Sequence, residues 1–547
     1  MTKKTEKIII SILWAAAVLV CIKSIFTDFG FDNSYMIAMS YRHISGDSML
    51  LEMWEPNQTS IFLIDFFMLI YRLFIPDFTG VAIYLQIIGT LLWIPTAICA
   101  VRILGKFTDK TISNLILIFL TVYKVKSSPF LDYAGQTILF SVWVFVFLAK
   151  YYYGKKPLSA FVAGFFTFLQ VIVYPSAAFV LVPTLFFLFK VKSDSKCKAI
   201  LAYILGGGIP SVLYVGYFYV RVGFTGLFDI AGYIIDSDSH SVTPRFGPYY
   251  SGIINAAILF AGCAAMATIA ALLFKKKKKI SIPSLTVVLM IAGDLILLFT
   301  HRHTGLDFRL FVYLMPVILI LAGAISYNKM TSEERIIWLL GVGISCTSFL
   351  AAFLLSDLGI ITLVSFFQLG GAVSFIPLKY LCEDFRRVGI LLVVLLLLHR
   401  GLVVWGYGTW AKNVMYTWEL ENYIRSGPAA GIVCSHFHKQ KFSVDLEELR
   451  NTLSKYDRVL IIGPEIMDSL VFLYTDASIS NFSVIDTPIY GNVLEDYYRL
   501  NPDKYPTVVL ADCWFGNLNI PPDSYIMKWV EENFSVSENL SYYRVYR

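Results

Sequence analysis

The sequence predicts a polytopic α-helical membrane protein that ends in a soluble α/β domain. Of its 547 residues, 57% are hydrophobic and only 15% are charged, whereas soluble domains carry roughly 25% charged residues. Apolar runs of about 17–25 residues, each long enough to cross a hydrocarbon core of roughly 30 Å, recur as far as residue 406. After residue 410 the pattern changes to short apolar runs that alternate with amphipathic ones.

The first apolar run, Ile8 to Phe26, follows the basic stretch MTKKTEK and has the outline of a secretory signal peptide. Its apolar core is longer than that of a signal peptide, and no small-x-small cleavage site separates it from the acidic loop that follows. We therefore expect this run to be retained as the first membrane helix.

Fourteen apolar segments have the character of membrane helices. They are 8–27, 59–75, 80–101, 111–126, 136–153, 158–174, 176–190, 200–220, 251–274, 282–300, 308–326, 336–356, 358–380 and 388–406. Basic residues cluster in the short loops between them, most densely at Lys275 to Lys279, and the positive-inside rule places these loops in the cytoplasm. The same loops hold much of the net charge of +6, so nucleic-acid binding is not indicated.

This distribution of basic loops puts the N-terminus in the cytoplasm and the residues after about 407 outside the cell. Such a topology requires an odd number of crossings, so we expect about 13 transmembrane helices in the plasma membrane and one apolar segment that does not cross. Segment 111–126 is the candidate for the latter, because it is short and its end carries Lys124 and Lys126.

The chain therefore divides into a transmembrane part, 1–406, and an extracytoplasmic domain, 411–547. Within the second part, GIVCS and RVLIIGP have the composition of buried strands, and SVDLEELRNTLSKY is amphipathic at helical spacing. Continued alternation of helix and strand predicts an α/β domain with a mostly parallel sheet. The eight Cys residues are scattered without a CxxC pair, so neither a zinc site nor a disulfide framework is indicated.

The first outer loop, residues 28–58, carries many ionisable groups between two apolar runs. Asp32, Tyr35, Met36 and Met39 share one face at helical spacing, as in helices that lie in the membrane interface with their charged side toward water. A solvated connecting loop with ordinary surface charges is the alternative. Because a connection needs only a few residues, the length of this loop favours a functional one.

A second outer cluster, HRHTGLDFRLFVYLMP, places Arg309 just inside an apolar run. An Arg at that depth is costly unless it faces a polar cavity or an anion, and its fork of donors matches phosphate. The alternatives are that Arg309 reaches up to the headgroups or pairs with Asp307. His301 and His303 have no third partner that would indicate a metal site, and a third cluster, DSDSH, has the composition of a turn-rich loop.

Three stretches resemble the GT-C glycosyltransferases, in particular bacterial relatives of protein O-mannosyltransferases and of the lipid A aminoarabinose transferase. They are FDNSY, WEPNQTSIFL and FRLFVYLMPVILIL, and the likeness covers about the first 330 residues. The resemblance implies a GT-C-like transmembrane domain and transfer of a sugar from a polyprenyl-phosphate donor to a glycan, lipid or protein acceptor on the outer face.

The resemblance also implies a catalytic carboxylate at Asp32. The other residues that we expect to bind substrate are Arg42, Trp54, Glu55, Gln58, Arg302 and Arg309. Many relatives have Asp-Glu where this chain has Asp32-Asn33, so no cofactor is assigned and a divalent metal is left open.

The expected chemistry agrees with this distribution of residues. Sugar transfer from a lipid phosphate needs a base for the acceptor hydroxyl and cations for the leaving phosphate, and charged groups crowd the outer face. A lipid-linked saccharide flippase or other transporter is the alternative, because Asp65 and Asp294 lie within predicted spans, where transporters place ionisable groups. A polysaccharide polymerase would be expected to have its largest outer loop late in the chain.

Overall fold

A computed structural model describes most of the chain. The described ranges are 3–55, 57–124, 129–192, 194–236, 246–273, 281–304, 306–355, 359–404, 416–463, 469–485, 493–514 and 517–547. Two stretches discussed above lie largely or wholly outside these ranges, namely DSDSH from Ser237 onward and the basic run Lys275 to Lys279.

Helices dominate residues 3–402. They are α1 Lys3–Thr27, α2 Phe31–Ile44, α3 Phe62–Arg72, α4 Val81–Leu104, α5 Lys110–Val122, α6 Tyr133–Gly154, α7 Pro157–Val173, α8 Leu181–Lys190, α9 Lys196–Asp236, α10 Phe246–Leu273, α11 Ile282–Thr304, α12 Leu310–Tyr313, α13 Met315–Ser326, α14 Ser332–Leu355, α15 Ile360–Leu363, α16 Gln368–Val373, α17 Leu378–Leu381 and α18 Phe385–Leu402. Helix α9 is broken at Gly223, whose φ is 72°.

The chain is a polytopic membrane protein, as the composition predicts. Within the described residues, eight helices are long and apolar enough to span a membrane, and four shorter apolar helical stretches, 110–122, 157–173, 175–190 and 360–373, pack among them together with α18. Large apolar side chains point outward from these helices, for example Leu213, Ile258 and Phe299. Such an outward apolar surface is what a bilayer requires.

The two ends of the bundle differ in chemistry. At one end Arg386 lies 2.7 Å from Asp109 and 3.8 Å from Glu6, and Lys379 lies 2.6 Å from Glu334. The opposite end carries α2, α3 and the C-terminal domain. We call these the basic end and the domain end.

Helix α3 does not cross the bundle, so the prediction of a span at 59–75 is wrong. The residues before α3 pack on the C-terminal domain, where the Trp54 amide donates to the Phe482 carbonyl at 2.9 Å. The residues after it return to the same domain, where the Gly80 amide donates to the Gly427 carbonyl at 3.0 Å. Eleven residues reach only about 16 Å, about half of a hydrocarbon core.

The composition of α3 explains its position. Its buried side contains Ile64, Asp65, Met68 and Tyr71. The opposite side exposes large apolar groups, namely Phe66, Leu69, Leu73 and Phe74 around its end. A short helix with one apolar face and polar contacts on the other is typical of the membrane interface.

Helix α5, expected to be the segment that does not cross, runs along α1 through most of the bundle. Its first turn lies at the basic end, where Thr111 donates to Glu6. The chain that follows its last turn brings Lys124 beside Cys21, toward the other end of α1. The segment thus lies beside α1 from Glu6 to Cys21, and the expectation that 111–126 does not cross stays a prediction.

Helix α2 forms where the spacing of Asp32 to Met39 predicts a helix, but it is not an open interfacial helix. Most of its side chains are buried, including Ser34, Tyr35 and Met36. It packs against α3 and against the short helix Ser469–Leu473 of the C-terminal domain. The C-terminal domain therefore covers the side that was expected to face water.

The C-terminal domain has a mixed sheet. Its helices are α19 His436–Thr452, α20 Val493–Leu500 and α21 Tyr525–Asn533, and its strands are β1 Asn422–Tyr423, β2 Val433–Cys434, β3 Arg458–Ile462, β4 Ser478–Ile479, β5 Val508–Trp514, β6 Asn517–Leu518, β7 Val536–Asn539 and β8 Tyr543–Tyr546. The main sheet has the order β4-β3-β5-β8-β7, and β6 pairs with β5. Strands β4, β3 and β5 pair in parallel, whereas β8, β7 and β6 join the sheet through antiparallel pairs. The sheet is therefore mixed, and only three of its six strands form the parallel arrangement that we expected.

Candidate functional site

Asp32 lies in the first turn of α2, at the domain end of the bundle. It is half-buried, and the Tyr133 hydroxyl donates to its Oδ1 atom at 3.2 Å. A carboxylate in the first turn of a helix is favoured by the exposed backbone N–H groups and the helix dipole. The expected catalytic carboxylate is thus held on a regular helix and remains partly open.

A buried ion pair lies one turn before Asp32. Arg400 Nη2, near the end of α18, is 2.6 Å from Asp28 Oδ2, and the two side chains are 3% and 0% exposed. The same nitrogen donates to Ser24 Oγ at 3.1 Å. Lys23 adds another positive charge, because its Nζ atom donates to the carbonyls of Arg400 and Val403.

Lys124 is a further buried basic residue in the same region. Its Nζ atom lies 3.8 Å from the centre of the Trp93 ring, and no hydrogen-bond acceptor reaches it among the described residues. It lines a small cavity with Arg400, Ser24, Cys21, Thr90 and Pro129 among others, of about 10 Å³, which is enough for one water molecule. A buried Lys without an acceptor is costly in its charged form, so an anion that entered the cavity would stabilise the ammonium.

Two short stretches of chain connect this cavity to Asp32. On one side, Asp28 holds Arg400 and lies four residues before Asp32. On the other side, Pro129 lines the cavity and lies four residues before Tyr133, which bonds Asp32. A carboxylate that can accept a proton and two buried cations therefore lie in neighbouring parts of one region.

Arg309 lies on the α18 side of this region and has protein partners. Its guanidinium forms two hydrogen bonds with Asp307, of 2.9 and 2.6 Å, and donates to Thr362 Oγ1 at 2.8 Å. Burial would raise the pKa of the Asp307 carboxyl, but the charge and hydrogen bonds of Arg309 outweigh burial and hold that pKa below its ordinary value. Of the readings that the sequence left open, the structure shows the pair with Asp307.

The ring of Phe308, next to Arg309, stacks on His399 with centroids 6.0 Å apart. His399 precedes Arg400 on α18, so the chain at Arg309 lies beside the end of α18 that carries Arg400. The side chain of Arg302 lies outside the described residues.

Four residues of the first outer loop that we expected to bind substrate are buried in contacts with the C-terminal domain or with their own loop. Arg42, Trp54, Glu55 and Gln58 are all buried, with at most 3% exposure. Glu55 accepts hydrogen bonds from the Ser483 hydroxyl at 2.7 Å and the Val484 amide at 2.6 Å.

The other three residues also bond to protein groups, and Arg42 bonds Asp47 and the Tyr497 hydroxyl. Gln58 bonds to the backbone of its own loop, and the Trp54 ring enters the core of the C-terminal domain. Their hydrogen bonds and packing hold the loop on the C-terminal domain in this structure, and we assign them no direct contact with substrate.

The described ranges contain no group of three or more His, Cys, Asp or Glu side chains that could hold a metal ion. His43 is 2.7 Å from Asp65, and His399 is 2.9 Å from Asp294, so these histidines are already paired with carboxylates. The described ranges therefore identify no metal ligands, and the chemistry below uses the chain's own groups.

Sequence reasoning missed Asp28, Lys124, Tyr133 and Arg400 as site residues. One signal was present, because Arg400 ends the apolar run GILLVVLLLLHR and an ionisable residue at such a position is a functional candidate. Lys124 was interpreted as a topology signal. Their convergence depends on the packing of α1, α4, α5 and α18, which the sequence does not display.

No protein-family model matches the chain, and no curated protein is significantly similar to it in sequence. Among solved structures, it is similar to the Archaeoglobus fulgidus oligosaccharyltransferase in complex with zinc and sulfate, with 11% identity, a TM-score of 0.47, and coverage of 91% of this chain and 68% of that chain. The archaeal oligosaccharyltransferase AglB from the same organism, in complex with an inhibitory peptide and a dolichol-phosphate, gives 11% identity, a TM-score of 0.44, and coverage of 91% and 69%.

ArnT from Cupriavidus metallidurans bound to undecaprenyl phosphate is also similar, with 11% identity, a TM-score of 0.40, and coverage of 98% of this chain and 97% of that chain. These proteins are GT-C glycosyltransferases, the class of membrane enzymes that the sequence motifs resemble. At this identity and these TM-scores, the similarity assigns no residue role and no substrate to the chain.

Proposed function

We propose that the protein is a membrane glycosyltransferase that moves a sugar from a polyprenyl-phosphate donor to an acceptor on the outer face of the plasma membrane. The observation that carries the proposal is the placement of a half-buried carboxylate, Asp32, beside a region with two buried cations, Lys124 and Arg400. Transfer from a lipid phosphate needs these two kinds of group close together.

In the proposed reaction, the Asp32 carboxylate accepts the proton of the acceptor hydroxyl. The acceptor oxygen forms a bond to the anomeric carbon, and the bond from that carbon to the phosphate oxygen breaks. The electron pair leaves with the phosphate, whose charge Lys124 and Arg400 offset. The Tyr133 hydroxyl donates to Asp32 Oδ1 and so orients the carboxylate that accepts the proton.

The lipid phosphate would reach the cations from the membrane side. In the present conformation the cavity has room for one water molecule only, so a phosphate would enter as Lys124 leaves the face of Trp93. Arg309 stays in the proposal as a further phosphate ligand, provided that its ion pair with Asp307 opens when the donor binds.

The proposed orientation places the domain end outside and the basic end in the cytoplasm, following the positive-inside rule. The acceptor would then approach from the side of the C-terminal domain. The two acidic residues that favoured a transporter both have buried partners, since Asp65 bonds Ser40 and His43, and Asp294 pairs with His399. Paired carboxylates of this kind support the packing of helices, so we retain the enzyme as the proposal.

The test is Asp32→Asn, which keeps the size of the side chain but removes the proton acceptor. We expect normal accumulation in the membrane and a loss of activity of about 10²–10⁴-fold. The readout is mass spectrometry of cell-envelope glycans from cells in which the variant is the only copy. The control is Asp77→Asn at the domain end, since Asp77 is exposed and bonds only to Thr79 among the contacts described.

Full glycan modification in Asp32→Asn would refute the catalytic role of Asp32. A glycan profile that is unchanged even when the whole protein is deleted would refute the proposed class of reaction. Asp47, in the same loop, is not a suitable control, because it is bonded to Arg42 and Lys504.

A further inference from the structure

The end of the first outer loop is built into the C-terminal domain. The Trp54 ring belongs to the same core cluster as Leu460 of β3 and Val509 of β5, and its ring lies edge-on to Tyr497 with centroids 5.2 Å apart. The Asn501 side chain donates to the Leu51 carbonyl at 3.1 Å. The hydrophobic core of the C-terminal domain is therefore completed by a residue from the other part of the chain.

Arg42, in the last turn of α2, is the centre of the polar contacts between loop and domain. Its guanidinium is fully buried, with Nε 2.5 Å from Asp47 Oδ2 and Nη2 2.9 Å from the Tyr497 hydroxyl. It also donates to the Glu52 carbonyl, which accepts a second hydrogen bond from the Tyr497 hydroxyl at 2.8 Å. Tyr497 thus connects α2, the loop and α20 through one oxygen atom.

Lys504 completes this network from the C-terminal domain. Its ammonium pairs with Asp47 Oδ1, while Asp47 Oδ2 accepts from Arg42, so the carboxylate bridges two cations. Such charge-assisted bonds are strong when they are shielded from water. The pair of Lys504 and Tyr497 therefore fixes the position of the Arg42 side chain.

Arg42 and Asp32 lie on one continuous helix. Ten residues separate them along α2, a distance of about 15 Å along the helix axis. A helix of this length moves as a rigid body, so a displacement at its C-terminal end moves its N-terminal turn as well. In transfer reactions, a misplacement of about 1 Å can reduce the rate by about 10²-fold.

We infer that Tyr497 and Lys504 of the C-terminal domain are positioning residues for the transfer reaction. They hold Arg42 and Asp47, and through them they set the position of α2 and of the Asp32 carboxylate. This inference rests on the proposed function for its effect on rate, but the contact itself can be tested without a substrate.

The first measurement is hydrogen exchange of the α2 amides in the full-length protein. Tyr497→Phe keeps the ring against Trp54 and removes only the hydroxyl that bonds Arg42. We expect exchange in α2 to become roughly two- to tenfold faster, as the loss of one buried hydrogen bond predicts. The matched control is Tyr498→Phe on the same helix, because the Tyr498 hydroxyl bonds only the Ser480 carbonyl among the contacts described.

The second measurement is glycan modification in cells, with Asp32→Asn as the reference. We expect Tyr497→Phe and Lys504→Met each to lower activity by about tenfold or more, whereas Tyr498→Phe keeps normal activity. When Tyr497→Phe is added to Asp32→Asn, the residual activity should fall no further, because Tyr497 acts through Asp32. A merely structural role would lower both backgrounds by the same factor.

Unchanged exchange in α2 together with normal activity in Tyr497→Phe would overturn the inference and leave the proposed function intact. Faster exchange in α2 with normal activity would also overturn the positioning role. Normal activity in Asp32→Asn would instead refute the assignment of the catalytic carboxylate, and the exchange measurement would still report on the contact.

Discussion

Arg400 Nη2 lies 2.6 Å from Asp28 Oδ2, and together these two nearly completely buried side chains join α18 to the residues that follow α1. A buried ion pair of this kind contributes little net stability, since desolvation opposes the attraction of the charges. Removing one partner is a different matter, because the other charge then stays buried without compensation.

We therefore predict that Arg400→Met destabilises the protein by about 3–5 kcal/mol. Adding Asp28→Asn should restore most of the loss, because the buried negative charge is removed as well. If Arg400 also binds the phosphate of the donor, the double variant should regain its thermal stability in detergent but not its activity. Restored activity in the double variant would limit Arg400 to a structural role.

We predict that Lys124→Met lowers activity without lowering thermal stability. The Lys124 ammonium is buried without an acceptor among the described residues, so a methionine of similar length should leave the thermal midpoint unchanged or raise it. Activity should fall by about tenfold or more if this cation offsets the charge of the leaving phosphate. A lower thermal midpoint would show that the ammonium has a structural partner.

The control for Lys124 is Lys106→Met at the basic end. Lys106 Nζ also lies over an aromatic ring, 3.4 Å from the centre of Tyr153, but far from the cavity. We expect Lys106→Met to change glycan modification little. An equal loss of activity in both variants would mean that the effect does not come from the cavity.

The position of α3 leads us to predict that residues near its end are accessible from outside the cell, although the sequence predicted a transmembrane segment there. Because both of its ends lie at the domain end, a Cys introduced at Asp77 should react in intact cells with a reagent that cannot cross the membrane, as should one at Lys439. A Cys at Lys110, at the basic end, should react only after lysis. Labelling is compared with the parent chain, which has eight Cys residues.

Reaction at Asp77 only after lysis would restore 59–75 as a crossing helix. Reaction of Lys110 and not Lys439 in intact cells would reverse the proposed orientation of the whole bundle.

Because His438 is buried, we predict that the C-terminal domain loses stability in acid. Burial lowers the pKa of His438 from 6.5 to about 4, and its ring nitrogen Nδ1 lies 2.9 Å from Ser435 Oγ. In the unfolded chain His438 binds a proton as the pH falls through about 6.5, whereas in the folded domain it stays neutral until about pH 4. Stability from this group is therefore present above pH 6.5 and is lost between pH 6.5 and 4.

The expected loss from His438 is about 3 kcal/mol over that range. The measurement is the pH dependence of hydrogen exchange in β3 and β5 of the full-length protein. His438→Gln removes the titrating group, so the variant should show a smaller decrease than the parent chain over the same range. Equal decreases would show that other groups of the domain account for the loss.

The sequence by itself determined the class of the protein, most of its helices and the candidate carboxylate. Long apolar runs and basic loops predict a helical bundle, because only apolar side chains are stable in hydrocarbon and basic side chains concentrate in cytoplasmic loops. Helical spacing places Asp32 on α2. The strands at RVLII and TVVLADCW form for the same reason, since their side chains are apolar enough to be buried.

Only the tertiary structure determines which residues each of these helices and strands contacts. The apolar run at 59–75 lies along the bundle end because α3 packs on α2 and the chain on either side of α3 bonds to the C-terminal domain. Trp54 is buried in a core formed by residues more than 400 positions later. Lys124 and Arg400 are brought to one cavity by four helices that are distant in sequence. The local sequence pattern indicates whether a residue tends to be buried. Packing between distant segments determines which residues it then contacts.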